Sequence, residues 1–311
     1  MFGLYNIILN TWLMKTRILF LTIFFIGLLS SCSVTVINSP EPEITLQEQL
    51  QSFELWYVDI NETQGSGEVP FLQKAFTISF TNNGLFANNN IVGIGNEGNG
   101  YGFKIGNYTA FGNTLNLNHI LDGDYSLEVN FISFDEIEIT DYFNDVTYRL
   151  IGYQRDEFDY DALFYDNIEY FLQEYEVWQK TGTSIAGAPN PFDAENYMRF
   201  FPDQINIFQT SLDKVGTDFD LLEWNFEGNY EVFDVADDAS IKILTLDYDF
   251  FDSEDFELTI LDDATIQLLH INSGTIYQFE GRYNIQFLKG EVVKKERKRF
   301  KVRRNVKQYK N

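Results

Sequence analysis

The sequence is poor in the residues on which most catalytic and metal-binding sites depend. Its 311 residues include one cysteine, Cys32, and two histidines, His119 and His270. A single cysteine excludes an intrachain disulfide framework and the usual cysteine-based zinc sites. The sequence contains no Gly-x-Ser-x-Gly elbow, Walker loop or His-Glu-x-x-His motif. We therefore expect a protein that is not an enzyme and that uses no metal or cofactor.

Positive charge is scarce outside the end of the chain. The 22 Lys and Arg and 47 Asp and Glu give a formal net charge of −25. Residues 291–311 hold ten Lys or Arg and two Glu, so they carry +8 and the rest carries −25 − 8 = −33. A body this acidic does not bind nucleic acid through its surface. Its self-repulsion favours a monomer.

The basic run of residues 294–304 has two interpretations. It could attach to anionic lipid head groups or to an anionic envelope polymer, with each basic residue contributing about 1 kcal/mol near a charged surface. Alternatively, residues 291–311 form a disordered tail that touches the acidic body or nothing. The residues alone do not decide between the two.

The N-terminal segment has the order of a secretory signal. Lys15 and Arg17 precede an apolar run over residues 18–29. This run is shorter than the roughly 20 residues that a membrane span needs, and small residues follow it. Leu29-Ser30-Ser31-Cys32 resembles a bacterial lipobox, in which the cysteine is lipidated and becomes the mature N-terminus.

This resemblance implies how the N-terminus is processed and sorted. It implies a signal peptide over residues 1–31, with translation starting at Met14, and a membrane anchor on Cys32. Residues 32–44 would then be a lipidated tether. The absence of Asp at position 33 implies the outer membrane of a Gram-negative bacterium.

One unit occurs twice in the chain. Residues 50–56 match residues 172–178, and the offset of 178 − 56 = 122 also aligns Tyr108 with Tyr230. After a short insertion the offset is 277 − 148 = 129, which aligns Tyr148 with Tyr277. Residues 45–155 and 167–285 are therefore two copies of one domain. With its linking helix, the second domain is predicted to span 156–290, and we call these domains copy one and copy two.

Each copy is predicted to be a helix followed by a strand meander. Apolar residues at helical spacing predict a linking helix over 158–175, and a shorter helix before position 53. Period-2 alternation and Asn, Asp and Gly turns then predict strands in copy one over 54–60, 75–80, 84–89, 102–106, 108–111, 114–119, 126–131, 136–140 and 146–154. Such a meander usually closes into a barrel, because closure removes its edges. We predict an all-β fold with minor α, two tandem antiparallel barrels each preceded by a helix.

Four aromatic residues at equivalent positions are interpreted as structural core: Trp56, Trp178, Tyr108 and Tyr230. A tryptophan in the first strand buries a large area and would close one end of its barrel. Contact with a ligand is the alternative role for either tryptophan.

The short helix, the tryptophan in the first strand and the meander of about eight strands resemble the lipocalin-like domain of bacterial lipoproteins. Here the domain would occur in tandem over residues 45–285. The lipocalin Gly-x-Trp motif is absent, since Glu54 and Glu176 occupy its glycine position. The resemblance also implies a basic residue that packs over the tryptophan. Arg149 is the candidate in copy one, and Gln278 takes that position in copy two.

The chain is also similar to a group of bacterial lipoproteins with this tandem layout. Some of them carry the name nicotinic acid mononucleotide adenylyltransferase. Such enzymes hold the triphosphate with a His-x-Gly-His-like turn, and neither histidine here has a Gly-His partner. His119 aligns with Tyr248 and His270 with Asp141, so each is interpreted as an ordinary strand residue. We expect no nucleotidyl transfer.

Three loop regions have a functional and a plain interpretation. Gly93-x-Gly95-x-x-Gly98 has dinucleotide-binding spacing, but no helix follows it, which favours a flexible hairpin loop. Acidic residues over 234–238 and 247–255 could bind Ca²⁺, although solvated loops are the simpler interpretation. Residues 181–202 are rich in Pro and Gly and are expected to form a loop over a barrel mouth, where binding would lie.

These inferences predict a lipid-anchored cell-envelope protein that binds a small ligand, a glycan or an envelope partner. The alternative is a non-binding structural or assembly lipoprotein with filled barrels. Large aromatic side chains at the inward positions would indicate filled barrels. Small or polar residues around a cavity would favour a ligand.

Overall fold

A computed structural model describes residues 44–201, 206–250 and 252–286. They form two closed, eight-stranded antiparallel barrels in tandem, which confirms the predicted fold class. The predicted signal peptide, Met14 and Cys32 lie outside the described residues, as do almost all of the tether and the whole basic tail. No helix in the described ranges is long and apolar enough to cross a membrane.

The first barrel follows helix α1 (Leu46–Ser52), which begins with a Thr45–Glu48 capping box. A second short helix, α2 (Pro70–Lys74), lies between its first two strands. Each strand pairs with the next in the chain, and the last strand pairs with the first, Gly152 opposite Trp56. The strands are β1 (Leu55–Gly65), β2 (Thr77–Thr81), β3 (Gly84–Asn88), β4 (Phe103–Phe111), β5 (Thr114–His119), β6 (Gly123–Phe131), β7 (Glu136–Asp141) and β8 (Val146–Tyr153). The two strands predicted over 102–106 and 108–111 are the single strand β4.

The second barrel repeats this arrangement. It follows helices α3 (Tyr160–Asp166) and α4 (Ile168–Gln173) and closes with Gly281 opposite Trp178. Short 3-10 helices occupy loops of this barrel at Pro191–Ala194 and Phe219–Leu221, and another lies between β3 and β4 of the first barrel at Glu97–Gly100. The strands are β9 (Tyr175–Ile185), β10 (Tyr197–Phe200), β11 (Ile207–Ser211), β12 (Phe226–Val235), β13 (Asp238–Tyr248), β14 (Glu254–Asp262), β15 (Thr265–His270) and β16 (Ile276–Asn284).

The linking segment is two helices, so the prediction of one continuous helix over 158–175 is wrong. Asn167 separates α3 from α4 with φ −126° and ψ 35°. Its side-chain amide donates to the carbonyl of Leu163 at 2.8 Å. Asparagine readily bonds to nearby backbone in this way, and the bond competes with helical continuation. The apolar spacing was correct, but it does not report such a break.

Strand β8 illustrates how alternation builds the barrel wall. Val146, Tyr148 and Leu150 point inward and are buried, whereas Thr147 and Arg149 alternate with them and are half-buried. Arg149 bonds to Glu136 at 2.7 Å on the outer face. The expectation that Arg149 packs over the inward-facing tryptophan of copy one is therefore wrong.

The two barrels pack together through the loop between β3 and β4, residues 89–102. The carboxylate of Glu174, which is fully buried, accepts hydrogen bonds from the backbone N–H groups of Ile91 and Val92, both at 2.7 Å. Ile91 itself is fully buried, and the ring of Phe76 lies 5.4 Å from that of Tyr170. The glycine-rich segment is a hairpin loop, as predicted, and it also joins the barrels, which was not predicted.

Candidate functional site

Trp56 and Trp178 lie at equivalent places inside the two barrels, and neither exposes any surface. Each indole N–H donates to a carbonyl of the preceding helix. Trp56 bonds to Leu50 at 3.0 Å, and Trp178 bonds to Leu172 at 2.9 Å. A fully buried side chain offers no surface to a ligand, so these residues hold the helices against the barrels.

Tyr108 and Tyr230 form a second tie between helix and barrel. The amide of Gln51 donates to the Tyr108 hydroxyl at 2.9 Å, and the amide of Gln173 donates to the Tyr230 hydroxyl at 2.6 Å. Burial raises the pKa of both tyrosines above the ordinary value. The offset of 122 relates the two glutamines as well as the two tyrosines, so both copies use one device.

A phenylalanine that the sequence reasoning missed fills the opposite end of each barrel. Phe71 of α2 stacks on His119 at 5.1 Å and meets Tyr125 at 5.5 Å. Phe192, in the 3-10 helix of copy two, packs on Phe256 at 4.6 Å. Phe71 and Phe192 are 1% and 0% exposed, so both rings are enclosed by their barrels.

The signal for these plugs was present as a repeated Pro-Phe pair. Pro70 precedes Phe71 and Pro191 precedes Phe192, at a spacing of 191 − 70 = 121. That spacing falls one residue short of the general offset, so a fixed-offset alignment misses it. The predicted loop over 181–202 is shorter than expected, because β9 continues to Ile185 and β10 begins at Tyr197. The loop does lie at a barrel mouth, and it fills that mouth.

The inward-facing side chains of both barrels are mostly large and apolar. Fifteen of these side chains are between 0% and 1% exposed, so no water-sized space adjoins them. Dense packing of this kind is typical of a filled barrel. In the first barrel they include Val58, Leu115, Leu127, Val129, Ile139, Tyr148 and Leu150, and in the second Phe200, Phe208, Leu244, Leu246, Phe256, Leu258, Leu268 and Phe279.

Lys180 is one of several polar side chains buried in the second barrel, together with Lys242 and Glu195. It is 6% exposed, and its Nζ donates to the carbonyls of Phe192 at 3.3 Å and Asp193 at 3.1 Å. The same Nζ lies 4.8 Å from the ring centre of Tyr277. Burial lowers the pKa of Lys180 to about 8, although nearby Glu195 acts in the opposite direction. The lysine therefore holds the plug segment from inside the barrel.

A cluster of Ser273, His270 and Glu254 has the composition of a hydrolytic triad. His270 Nδ1 lies 2.7 Å from Ser273 Oγ, and its Nε2 bonds to Glu254. However, Ser273 Oγ also accepts from the N–H of Thr275 at 3.1 Å and from the amide of Asn190 at 3.0 Å. A hydroxyl with this many partners is held in place and is a poor nucleophile.

Copy one supports a turn-capping role for that cluster. Asp141, which occupies the position of His270, accepts from the N–H groups of Phe143 at 2.9 Å and Asn144 at 3.3 Å. Asp141 in copy one and His270 in copy two thus both cap the hairpin turn before the last strand, one with a carboxylate and the other with an imidazole. His270 is accordingly part of a turn rather than of a catalytic site.

His119 closes a different turn. Its Nδ1 accepts from the backbone N–H of Asp122 at 3.0 Å, and its ring is covered by Phe71. Burial lowers the pKa of His119, which keeps the ring neutral at neutral pH. Its position against the plug makes it part of the barrel core.

The acidic regions considered for Ca²⁺ are paired individually. Asp234 bonds to Lys242 at 2.6 Å, Asp255 accepts from Thr245 at 2.7 Å, and Asp247 accepts from the hydroxyl of Ser253 at 2.9 Å. Within the described residues, no group of three or more His, Cys, Asp or Glu side chains is placed to hold a metal ion.

The best candidate for binding is the outer face of β4, β5 and β6 in copy one. A shallow groove of about 440 Å³ lies there, above the backbone of Tyr108 and Leu117. The strand register places Asn107, Asn118 and Asp124 in one row across the three strands. Thr109, Asn116 and Ser126 form the neighbouring row.

These six outward side chains are exposed, and five of them are uncharged. Asn118 donates to Asp124 at 2.6 Å. In the described part of the chain, the other four side chains make no hydrogen bond, so their amides and hydroxyls face solvent. The positions of Thr109, Asn118 and Ser126 are occupied in copy two by Glu231, Asp247 and Asp255. The neutral face, as we call this set of six residues, thus belongs to copy one alone.

Comparison with known proteins adds no family to this geometry. No protein-family model matches the chain, and no curated protein matches it.

Proposed function

We propose that the chain is a lipid-anchored cell-envelope lipoprotein that binds a neutral glycan on the neutral face of copy one. The anchor rests on the lipobox-like segment that ends at Cys32. The site rests on one observation, a grooved face of free amides and hydroxyls on a body that is otherwise strongly acidic. The two barrels serve as the rigid support for that face.

The filled interiors favour an outer site over an inner one. A ligand inside either barrel would have to displace side chains such as Leu115 or Phe256, which expose no surface. Replacing such packed contacts costs several kcal/mol per large side chain. Binding at a barrel mouth, as expected from the loop over 181–202, would also require expulsion of Phe71 or Phe192.

The chemistry of the neutral face suits sugar hydroxyl groups. Asparagine amides supply both donors and acceptors, and Thr109 and Ser126 hydroxyls can do either. A neutral polymer carries no charge that the acidic body would repel, and it needs no cation in the site. An anionic polymer would meet a body of about −33 outside the tail, which opposes its approach.

The test is binding of neutral oligosaccharides to the full chain, measured by calorimetry. We expect Asn107→Ala, Asn116→Ala and Asn118→Ala together to weaken binding about 100-fold, since each lost hydrogen bond contributes about 1 kcal/mol. Asn229→Ala is the matched control, because Asn229 takes the position of Asn107 in the other barrel. Equal losses in the control and the triple variant would refute the site. Absence of glycan binding would leave the non-binding assembly role.

A further inference from the structure

The outer face of the first strand is fully covered in copy one and only partly covered in copy two. In copy one, Leu55 and Tyr57 point outward from β1 and are 0% and 1% exposed. Loop 89–102 and the residues after β8 cover them, and the ring of Phe158 lies 6.1 Å from that of Tyr57. Of the corresponding residues of β9, Val177 is also buried, at 2% exposed, whereas Gln179 is half-buried. Both line a groove of about 570 Å³.

This β9 groove is a preformed feature. Its walls are β9, β10, β16 and the loop between β11 and β12, residues 212–225. The Tyr197 hydroxyl accepts from the N–H of Gly216 at 2.7 Å and donates to the carbonyl of Lys214 at 3.2 Å, which fixes the loop. The groove is lined by Val177, Gln179, Tyr197, residues 216–219, Leu222, Arg282 and Tyr283.

Apolar side chains are exposed at the groove and on its loop. Tyr283 is 61% exposed, with its ring 5.6 Å from that of Phe219. Val215 and Leu221 on the loop are 53% and 72% exposed. Apolar side chains clustered beside a groove indicate a surface that another segment covers.

The charge of the loop specifies a basic occupant. Residues 212–225 contain Asp213, Asp218, Asp220 and Glu223 against the single Lys214, a net charge of −3. Among the described residues that line the groove, Arg282 is the one cation, and it already pairs with Glu280 at 2.8 Å. Residues 287–311 contain eleven Lys or Arg and two Glu, a net charge of +9.

The end of the described chain lies beside the groove. Ile285 donates to the carbonyl of Glu174 at 2.7 Å, next to the start of β9, and its neighbours Arg282 and Tyr283 line the groove. The offset of 129, which relates β8 to β16, places Phe287 at the position of Phe158. Twenty-five residues span far more than the groove, at about 3.3 Å per extended residue.

We propose that residues 287–311 dock in the β9 groove of the same molecule. Phe287 takes the place on the outer face of β9 that Phe158 takes on β1, and the following Lys and Arg residues face the carboxylates of loop 212–225. Copy two thereby covers its first strand with the chain that follows its last strand, as copy one does.

The first experiment compares the full chain with a chain that ends at Gln286, by hydrogen–deuterium exchange of the amides in loop 212–225. We expect about tenfold slower exchange in the full chain, which corresponds to about 1.4 kcal/mol of added protection. A chain that ends at Gly290 keeps Phe287 and should retain part of this protection. Raising the salt concentration to about 0.5 M should weaken it, because screening reduces the charge attraction.

The second experiment supplies the segment as a synthetic peptide of residues 287–311 to the chain that ends at Gln286. The peptide should restore slow exchange, a Phe287→Ala peptide should fail, and a Phe300→Ala peptide should succeed. Equal behaviour of the two variant peptides, or equal exchange in the full and shortened chains, would overturn the proposal. So would protection that rises with protein concentration, which would assign the groove to a second copy. Tail binding to phosphatidylglycerol vesicles with unchanged loop exchange would also overturn it.

Discussion

The buried lysine of the second barrel makes stability depend on pH in a direction that can be worked out. The pKa of Lys180 falls from the ordinary 10.5 to about 8 in the folded protein, chiefly because burial removes water from the ammonium group. The unfolded chain keeps the ordinary value. Between about pH 8 and pH 10.5 the unfolded state therefore binds more protons than the folded state, and stability rises with pH.

The magnitude follows from the two pKa values. A difference of one pH unit is worth about 1.36 kcal/mol, so burying the charged lysine costs roughly 3 kcal/mol below pH 8. Between pH 7.5 and 9.5, about 2 kcal/mol of this cost should be recovered. The pH range of the measurement should end near pH 9.5. Burial raises the pKa of tyrosines such as Tyr160 and Tyr277 to about 12, so their ionisation in the unfolded state lowers stability increasingly as the pH approaches 10.

The perturbation is Lys180→Met, which keeps the length of the side chain and removes its charge. Copy one has Val58 at this position, so an apolar side chain is compatible with the barrel. At pH 7 the variant avoids the free-energy cost of burying the charged lysine, which stabilises it. It also leaves the Asp193 carbonyl without the Lys180 hydrogen bond, which costs about 1–3 kcal/mol. The sign at a single pH is therefore not diagnostic, whereas the slope is.

The assay is urea unfolding of the full chain at several values between pH 7.5 and 9.5, followed by tryptophan fluorescence and circular dichroism. Across this range we expect the free energy of unfolding to rise by about 2 kcal/mol more in the natural protein than in Lys180→Met, because the buried tyrosines affect both proteins alike. Lys214→Met, on the exposed loop, is the control and should keep the rise. Equal slopes in the natural protein and in Lys180→Met would refute the assignment, as would loss of the difference in Lys214→Met.

Three further predictions concern the anchor, the core and the joint between the barrels. Cys32→Ala should abolish acyl labelling and release the protein from membranes, and an unchanged membrane fraction would refute the lipobox. Trp178→Ala should destabilise the second barrel by roughly 3–5 kcal/mol in urea unfolding, and a silent change would contradict its place in the core. Glu174→Gln turns an N–H group toward one of the two loop amides and should cost about 1–3 kcal/mol. Exchange of those amides should accelerate, while Glu176→Gln, two residues along β9, should leave them protected.

Much of the fold could be predicted because it rests on local patterns. Alternation in β8 and turn residues such as those at 144–145 predict individual strands from local sequence. The internal repeat then predicts that both copies have the same fold. The two strands predicted over 102–106 and 108–111 leave out Asn107, which lies in the middle of β4. The register, with Asn107 opposite Asn118, keeps the strand continuous. Such pairing is a tertiary fact that one strand does not contain.

The sites were harder to predict because they depend on which strands become neighbours. The alternation in β5 shows that Asn116 and Asn118 point outward. Only the strand register shows that Asn116 lies between Thr109 and Ser126. Glu174 and Lys180 are similar cases. A glutamate before a strand and a lysine within one usually face water, and nothing near them in the sequence reports the loop amides or the plug carbonyls that they meet.

Comparison of the two copies separates what the fold requires from what each barrel adds. The tryptophan, the tyrosine, the helix glutamine and the Pro-Phe plug occur in both copies, so they belong to the architecture. Ser52 of copy one is replaced by Glu174, and Val58 by Lys180. The first replacement joins the barrels and the second fixes a plug, so copy two carries the added structural devices. The outer face of β4, β5 and β6 in copy one is nearly free of charge. The equivalent face of copy two carries acidic residues at the same positions. Duplication of a purely structural domain does not explain that difference, whereas the proposed glycan site on copy one does.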